Sequence, residues 1–196
     1  MFNIIIIGAP GCGKGTQSAN IIRKYGFTHI STGEILREEV ELHTSIGEVV
    51  KKFIDRGYLV PDDIITHEIF ITATSQPQQT KGMLFDGFPR TIFQADYLDS
   101  LLFQNGSKIS LVIQVDVDED ELYNRILNRS KDSNRSDDHI EIIHKRLKEY
   151  DKKTHPLIEY YRKQGKLQTV RAMDPVKDVF GRIANIIDDY LIKEGK

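Results

Sequence analysis

Short apolar runs alternate with longer segments of helical periodicity along most of this chain. Runs rich in β-branched and aromatic residues predict five strands, at residues 3–7, 29–30, 83–85, 110–115 and 167–170. Helical periodicity predicts helices at residues 14–25 and 92–102, and a last helix whose core face carries Val176, Val179, Phe180, Ile183, Ile186, Ile187 and Leu191. This alternation predicts an α/β fold, with a five-stranded parallel sheet flanked by helices.

Two regions interrupt the alternation. Residues 31–75 contain about three helical stretches in succession without a convincing strand, which predicts an inserted helical subdomain. Residues 129–136 are almost entirely polar and lie between a helix from Glu119 and another that starts near Asp138. We expect this second region to be an exposed, mobile loop.

The composition is that of one ordinary globular domain. The 196 residues are 39% hydrophobic and 29% charged, and 27 basic against 29 acidic side chains give a net charge of −2. This balance excludes the broad positive field of a nucleic-acid binder. The apolar run at the N-terminus is too short for a signal peptide or a membrane span, so we expect a cytoplasmic protein without membrane contact.

The single cysteine, Cys12, excludes an internal disulfide and a structural zinc cage built on three or four cysteines. A reducing compartment fits this cysteine content. The six histidines form no recognisable metal motif, and we assign them no function.

A phosphate-binding loop follows the first predicted strand. Residues 8–16 read GAPGCGKGT and lead directly into a helix, which is the context that a P-loop requires. Glycines allow successive backbone N–H groups to surround an anion, and Lys14 adds a point charge for the β- and γ-phosphates. One difference from the general signature is that Gly15 separates Lys14 from the hydroxyl of Thr16. The predicted ATP ligands here are Gly11, Cys12, Gly13, Lys14, Gly15 and Thr16.

Three further motifs accompany the P-loop, in the order STGEILR at 31–37, YLVPD at 58–62 and DGFPRTIFQ at 86–94. Together with the P-loop they resemble the nucleoside monophosphate kinases and, among these, the adenylate kinase family. The resemblance covers essentially the whole chain. It implies a single three-layer P-loop kinase domain over 1–196, with an NMP-binding insertion at 31–60, helical to about 75, and a short lid at 129–136.

The activity that the resemblance implies is reversible phosphoryl transfer from magnesium-bound ATP to AMP, giving two ADP, in adenine nucleotide homeostasis. The residues that it assigns to AMP are Thr32, Arg37, Tyr58, Leu59, Val60, Gly87, Phe88, Pro89, Arg90, Gln94, Arg135 and Arg146. The Gln94 amide can pair with the donor and acceptor edge of adenine.

A second group of arginines follows the fourth predicted strand. Arg125 and Arg129 lie four residues apart on one helix face, and Arg135 and Arg146 come after them. By resemblance, Arg125 and Arg129 bind ATP, whereas the other two arginines reach the phosphates between the two nucleotides. The adenine of ATP is expected near residues 171–175, against Ala172.

Phosphoryl transfer to AMP needs no general base, because the attacking phosphate oxygen is already ionised. The obstacle is repulsion among phosphates, so cations must converge on the reacting groups. Asp86 ends an apolar run, as a Walker-B-type acid does, and is expected to hold Mg²⁺ through water with Thr16 nearby. The predicted catalytic residues are therefore Lys14, Arg90, Arg129, Arg135, Arg146 and Asp86.

Two alternatives stay open. A pyrimidine kinase of the UMP/CMP type shares the fold, but Thr91 and Gln94 argue against it, since asparagines usually follow that family's Gly-Phe-Pro-Arg motif. A P-loop switch without kinase activity would need no second nucleotide site. We expect a monomer that binds ATP, AMP and ADP, with Mg²⁺ as its metal and no zinc.

Overall fold

The computed structural model describes residues 1–75, 80–132 and 140–195. Its centre is a sheet of five parallel strands in the order β2-β3-β1-β4-β5. The strands are β1 (Asn3–Ile7), β2 (Thr28–Ser31), β3 (Met83–Asp86), β4 (Ile109–Asp116) and β5 (Leu167–Arg171). The predicted five-stranded parallel α/β fold is confirmed, although four of the strands extend one residue beyond the predicted range at one end or at both ends.

Helices cover both faces of the sheet and form the insertion. They are α1 (Lys14–Tyr25), α2 (Thr32–Glu41), α3 (Ser45–Ile54), α4 (Asp62–Thr74), α5 (Ile92–Gln104), α6 (Glu119–Asp132), α7 (Ile140–Glu149), α8 (Pro156–Lys163) and α9 (Val176–Lys193). A π-helical segment, Tyr150–Thr154, connects α7 to α8. No helix among the described residues is long and apolar enough to cross a membrane.

The central strand β1 is buried along its whole length, as expected for a parallel sheet covered on both faces. Its side chains alternate between two hydrophobic cores, with Ile5 and Ile7 in one and Ile4 and Ile6 in the other. The strand that leads into the P-loop is therefore fixed from both sides.

The region predicted as a helical insertion consists of α2, α3 and α4 in succession. Ser31 caps α2 by accepting a hydrogen bond from the Glu34 N–H, and Thr44 caps α3 through the Gly47 N–H at 2.9 Å. Leu36, Val50 and Ile65 belong to the same hydrophobic core as Ile5. The insertion is thus packed onto one face of the sheet.

Two sequence-based expectations need correction. Val176 was assigned to the core face of the last helix, but it is 52% exposed, because it is the first residue of α9 and the face that packs in the core begins only at Val179. The polar loop predicted over residues 129–136 does not begin at Arg129, since α6 continues to Asp132. The rest of that loop, including Arg135, lies outside the described residues.

Candidate active site

A cleft of about 820 Å³ opens at the carboxyl ends of the central strands. The P-loop, the insertion, the segment after β3 and the loop before α9 all contribute to its walls. Every described residue that the sequence assigned to the site lines this cleft, apart from Phe88. Arg135 lies outside the described residues. Motifs more than 100 residues apart in the chain therefore meet in one place, as carboxyl-end crevices of parallel sheets allow.

The P-loop turns directly from β1 into α1. Gly13, which caps α1, has φ +96°, a left-handed conformation that residues with a β-carbon rarely adopt. The first turn of α1 contains no acidic residue, so the positive end of the helix dipole is left for an external anion. The Lys14 ammonium donates hydrogen bonds to the carbonyl oxygens of Gly8 at 2.6 Å and Ala9 at 3.0 Å. Lys14 is thereby held inside the loop.

Cys12 is 1% exposed, and its sulfur lies 3.6 Å from the Lys14 ammonium. Its side chain packs in the core that contains Ile4 and Ile6. Cys12 is therefore a small, buried residue of the loop.

Asp86 is the last residue of β3 and is only 9% exposed. Its Oδ2 accepts a hydrogen bond from Ser18 Oγ at 3.0 Å and lies 3.8 Å from His29 Nε2. Burial alone would raise the pKa of Asp86, but His29, Lys14 and Ser18 together hold this pKa below the ordinary value. The carboxylate is consequently ionised at neutral pH beside the Lys14 charge.

His29 was assigned no function from the sequence, yet it lies beside the predicted metal-binding acid. Its Nδ1 is 3.5 Å from a Glu34 carboxylate oxygen and its Nε2 faces Asp86. The Asp86 carboxylate raises the pKa of His29, although burial opposes this shift. Ser31 pairs with Asp86 in the sheet register, and His29 is two residues earlier on β2, a placement that sequence reasoning could not find without that register.

The segment after β3 connects the insertion with Arg90, which was predicted to bind AMP. The Gly87 carbonyl accepts hydrogen bonds from Thr32 Oγ1 at 2.9 Å and from Arg90 Nε at 2.7 Å. A β-carbon on Gly87 would lie 2.8 Å from Thr32 Oγ1, and the residue has φ +80°, so only glycine fits. Phe88 was predicted to bind AMP but does not line the cleft, since it is 1% exposed and packs in the core.

The Gln94 amide is held at both ends. Its oxygen accepts the Arg90 backbone N–H at 2.7 Å, and its nitrogen donates to Asp62 Oδ1 at 2.6 Å. Asp62 belongs to the YLVPD motif but was not among the predicted site residues. Its partner Gln94, 32 residues further along the chain, could not have been identified from the sequence.

Arg125 connects the P-loop with the loop before α9. Its guanidinium donates to the Ala172 carbonyl at 2.8 Å and to the Cys12 carbonyl at 3.5 Å, and pairs with Glu121 at 2.7 Å. Arg125 therefore fixes the distance between the phosphate loop and the predicted adenine site at Ala172.

The remaining described arginines of the set, Arg129 and Arg146, line the cleft from α6 and α7. Arg146 also adjoins the insertion, since its Cγ lies 3.2 Å from the position that a β-carbon on Gly57 would take. Lys145 stands over the Tyr58 ring at 5.8 Å. Helix α7 thus contacts the insertion close to the YLVPD motif.

Within residues 1–75, 80–132 and 140–195, no group of three histidine, cysteine or acidic side chains is placed to hold a metal ion. A cation at this site would therefore depend on the oxygen atoms of its ligand as well as on the protein. The expectation that the enzyme contains no zinc stays a prediction.

Comparison with known proteins agrees with the geometry of the cleft. The family model described as adenylate kinase matches residues 6–166. The chain is 44% identical to an adenylate kinase of Bacteroides fragilis over 188 residues, which cover 96% of this chain and 99% of that protein. It is 44% identical to an adenylate kinase of Porphyromonas gingivalis over 190 residues, covering 97% of each chain. An adenylate kinase of Azobacteroides pseudotrichonymphae is 45% identical over 189 residues, covering 96% and 98%. Neither alternative, the pyrimidine kinase or the switch, gains support.

Proposed function

We propose that the two halves of the cleft bind different nucleotides, because this chain belongs to the adenylate kinase family and transfers a phosphoryl group between ATP and AMP. ATP binds on the P-loop side and AMP on the side of the insertion. The observation that carries this division is the placement of two arginines. Arg125 donates to carbonyl groups of both the P-loop and Ala172. Arg90 shares the Gly87 carbonyl with Thr32 of the insertion.

In the donor half, the N-terminus of α1 and the Lys14 ammonium receive the β- and γ-phosphates. The backbone N–H groups of residues 11–16 surround the anion, and the helix dipole adds partial positive charge. Arg125 and Arg129 contribute two further cations, and the ATP adenine lies against Ala172. Arg125 already donates to the Ala172 carbonyl at 2.8 Å, so the adenine and phosphate positions are set by one side chain.

In the acceptor half, AMP occupies the wall formed by α2, the YLVPD motif and the segment after β3. Arg37 and Arg90 bind its phosphate, and the segment Tyr58 to Val60 together with Gln94 binds the base. The Arg90 guanidinium is oriented by its 2.7 Å hydrogen bond to the Gly87 carbonyl. A planar guanidinium that is fixed in this way can grip phosphate through two parallel hydrogen bonds.

Charge neutralisation supplies the catalysis. Two unit like charges about 4 Å apart repel by roughly 4 kcal/mol at an effective dielectric constant near 20, and several such pairs meet when two nucleotides align. Lys14, Arg90, Arg129 and Arg146 line the same cleft, and Arg135 is proposed to join them. These cations offset the repulsion and stabilise the charge that develops in the in-line transition state. No side chain needs to remove a proton.

Magnesium fits the oxygen donors on this side of the cleft. Asp86 is ionised because its pKa is lowered, and Thr16 brings a hydroxyl to the same cavity. Mg²⁺ prefers such oxygen ligands and usually keeps several of its waters. When bound with ATP, it would add positive charge at the phosphate oxygens. Asp86 would hold it through water, while Ser18 and His29 keep the carboxylate in place.

The proposed division is tested by measuring KM for each nucleotide in two variants. Gln94→Ala should raise KM for AMP at least about tenfold and leave KM for ATP near the wild-type value, because a site built to pair a base loses heavily when unpaired. Arg125→Ala should give the opposite pattern. Equal changes for both nucleotides in either variant would contradict the division into halves.

We also infer that the enzyme works as a monomer, since one chain supplies every described part of the cleft. Sedimentation equilibrium of the active enzyme should give the mass of one chain, 22.5 kDa. A cytoplasmic location stays a prediction that cell fractionation can test.

A further inference from the structure

The buried Gln94 amide is fixed in one of its two possible orientations. Gln94 is 2% exposed, and its Oε1 accepts the Arg90 backbone N–H at 2.7 Å. Its Nε2 donates to Asp62 Oδ1 at 2.6 Å. A backbone N–H can only donate and a carboxylate can only accept, so these two neighbours determine which end of the amide is oxygen and which is nitrogen.

Each end of the Gln94 amide keeps one further hydrogen-bonding position. The nitrogen carries a second hydrogen and the oxygen a second lone pair. Gln94 lines the cleft, and in the proposed function the base in the acceptor half uses these two positions. A donor beside an acceptor matches the edge of a 6-aminopurine, whose N1 accepts a hydrogen bond while its 6-amino group donates one.

A 6-oxopurine presents the reverse pattern, with an accepting O6 beside a donating N1–H. To pair with it, the Gln94 amide would have to turn by about 180°. That turn would bring the amide nitrogen against the Arg90 N–H and the amide oxygen against the Asp62 carboxylate. Both native hydrogen bonds would become repulsive contacts in a buried place, where unmatched polar groups are costly.

Asp62 is itself held in position. It begins α4, at the end of the YLVPD motif, and its second oxygen lies 3.4 Å from the Thr91 hydroxyl, which caps α5. The Thr91 hydroxyl also accepts the Gln94 backbone N–H at 3.2 Å. The carboxylate is therefore clamped between the insertion and the first turn of the helix that carries Gln94.

We propose that Asp62 is a specificity-determining positioning residue, which locks the Gln94 amide in the orientation that accepts a 6-aminopurine monophosphate and rejects a 6-oxopurine monophosphate. This inference rests on the proposed function, in which Gln94 binds the base of AMP. A carboxylate suits the task because it accepts hydrogen bonds only. An asparagine of the same shape could accept from the Gln94 nitrogen, but it could also donate to the oxygen of a turned amide.

The test compares AMP with IMP as acceptor at a fixed, saturating ATP concentration. The quantity measured is the ratio of kcat/KM for AMP to kcat/KM for IMP. Asp62→Ala should lower this ratio at least about tenfold, the size expected when a buried hydrogen bond to a charged group is removed. Asp62→Asn should lower it as well, by less, although the variant keeps the shape and a hydrogen bond.

The matched control is Asp63→Asn. Asp63 stands next to Asp62 in the first turn of α4, is exposed, and makes the same interaction with the helix dipole. This variant should keep the wild-type ratio, and KM for ATP should be unchanged in all three variants.

Several results would overturn the proposal. A wild-type ratio in Asp62→Asn would show that only shape matters, and equal losses with AMP and IMP would show a purely structural role. If Asp62→Ala does not fold, as judged by its melting curve, Asp62→Asn decides alone. Failure of the underlying assignment is distinguishable, because Gln94→Ala would then leave KM for AMP unchanged.

Discussion

Ser18 donates a 3.0 Å hydrogen bond to the Asp86 carboxylate, with both side chains buried. Ser18 lies on α1, just after the P-loop, and Asp86 ends β3. The bond therefore links the helix proposed to receive phosphate to the acid proposed to hold magnesium. Lys14 and His29 also lower the pKa of this carboxylate. Residues of α1 and β2 therefore interact with the single negative charge at the end of β3.

Removing this hydroxyl should destabilise the fold. Ser18→Ala should lower the free energy of unfolding by about 1.5–3 kcal/mol at pH 7, the range for hydrogen bonds to charged groups. The folded-state pKa of Asp86 lies below its ordinary value, so its ionisation stabilises the protein above the unfolded pKa of about 3.9. This contribution is lost as pH falls through the folded-state pKa, and the difference between wild type and variant should shrink there. Urea unfolding at several pH values measures both effects.

Ser100→Ala is the control for that experiment. Ser100 is an exposed helical serine that bonds a backbone carbonyl of its own helix, at Asp96. Its substitution should change the unfolding free energy by less than about 0.5 kcal/mol at every pH. A loss in Ser18→Ala that does not change with pH would contradict the role assigned to the Asp86 charge.

Lys14→Met should lower kcat at least about a hundredfold while the protein still folds. The methionine keeps the length of the side chain but removes the charge that is held within the P-loop. Steady-state kinetics and a melting curve provide the measurement. Lys163→Met, an exposed change in the last turn of α8, should leave turnover as it is in the wild type. Near-normal activity of Lys14→Met would refute the P-loop assignment.

Arg90→Lys should reduce kcat roughly tenfold to a hundredfold and weaken AMP binding, even though the charge is kept. The Arg90 Nε donates a hydrogen bond to the Gly87 carbonyl, which orients the planar fork that we propose to bind phosphate. A lysine ammonium cannot make both contacts in that geometry. Arg162→Lys, an exposed pair with Glu159, serves as the control. Unchanged turnover and AMP affinity in Arg90→Lys would rule out the clamp.

Magnesium should be the only metal that activity requires, and the lid should contain no zinc. Elemental analysis of the purified enzyme should find no stoichiometric zinc, because the sole cysteine lies in the P-loop. Activity removed by a chelator should return fully when magnesium alone is added. Tightly bound zinc, or incomplete recovery with magnesium, would contradict this prediction.

Periodicity predicted those parts of the fold that depend on local pattern. The four isoleucines of β1 alternate between two cores, and α1 begins and ends at the predicted residues. Val176 was misassigned because periodicity identifies the face of a helix but not the residue at which that face begins to pack in the core. Likewise, polarity alone did not show that α6 continues beyond Arg129 to Asp132.

The motifs identified most of the residues around the cleft, but not the side chains that hold them. Asp62, Ser18 and His29 act through partners that are 32 to 68 residues away in sequence, or on a neighbouring strand. Such partners depend on strand register and helix placement, which a single sequence does not reveal. Gln94 was predicted as a base-reading amide, but which of its ends faces which neighbour required the three-dimensional structure.

The π-helical segment between α7 and α8 connects these helices and also determines how far one is rotated about its axis relative to the other. Thr154, at its end, donates a hydrogen bond to the Arg90 carbonyl at 2.9 Å, while Arg146 lies on α7 before it and Leu157 is buried on α8 after it. A π-helical turn, with hydrogen bonds between residues five apart, contains one more residue in each hydrogen-bonded turn than an α-helix does. Since each residue advances a helix by about 100°, shortening the segment by one residue would turn Arg146 by roughly that angle while Leu157 stayed in the core. The extra residue thus acts as a rotational offset, through which one continuous stretch of chain places a cation at the cleft and buries an apolar side chain about three turns later.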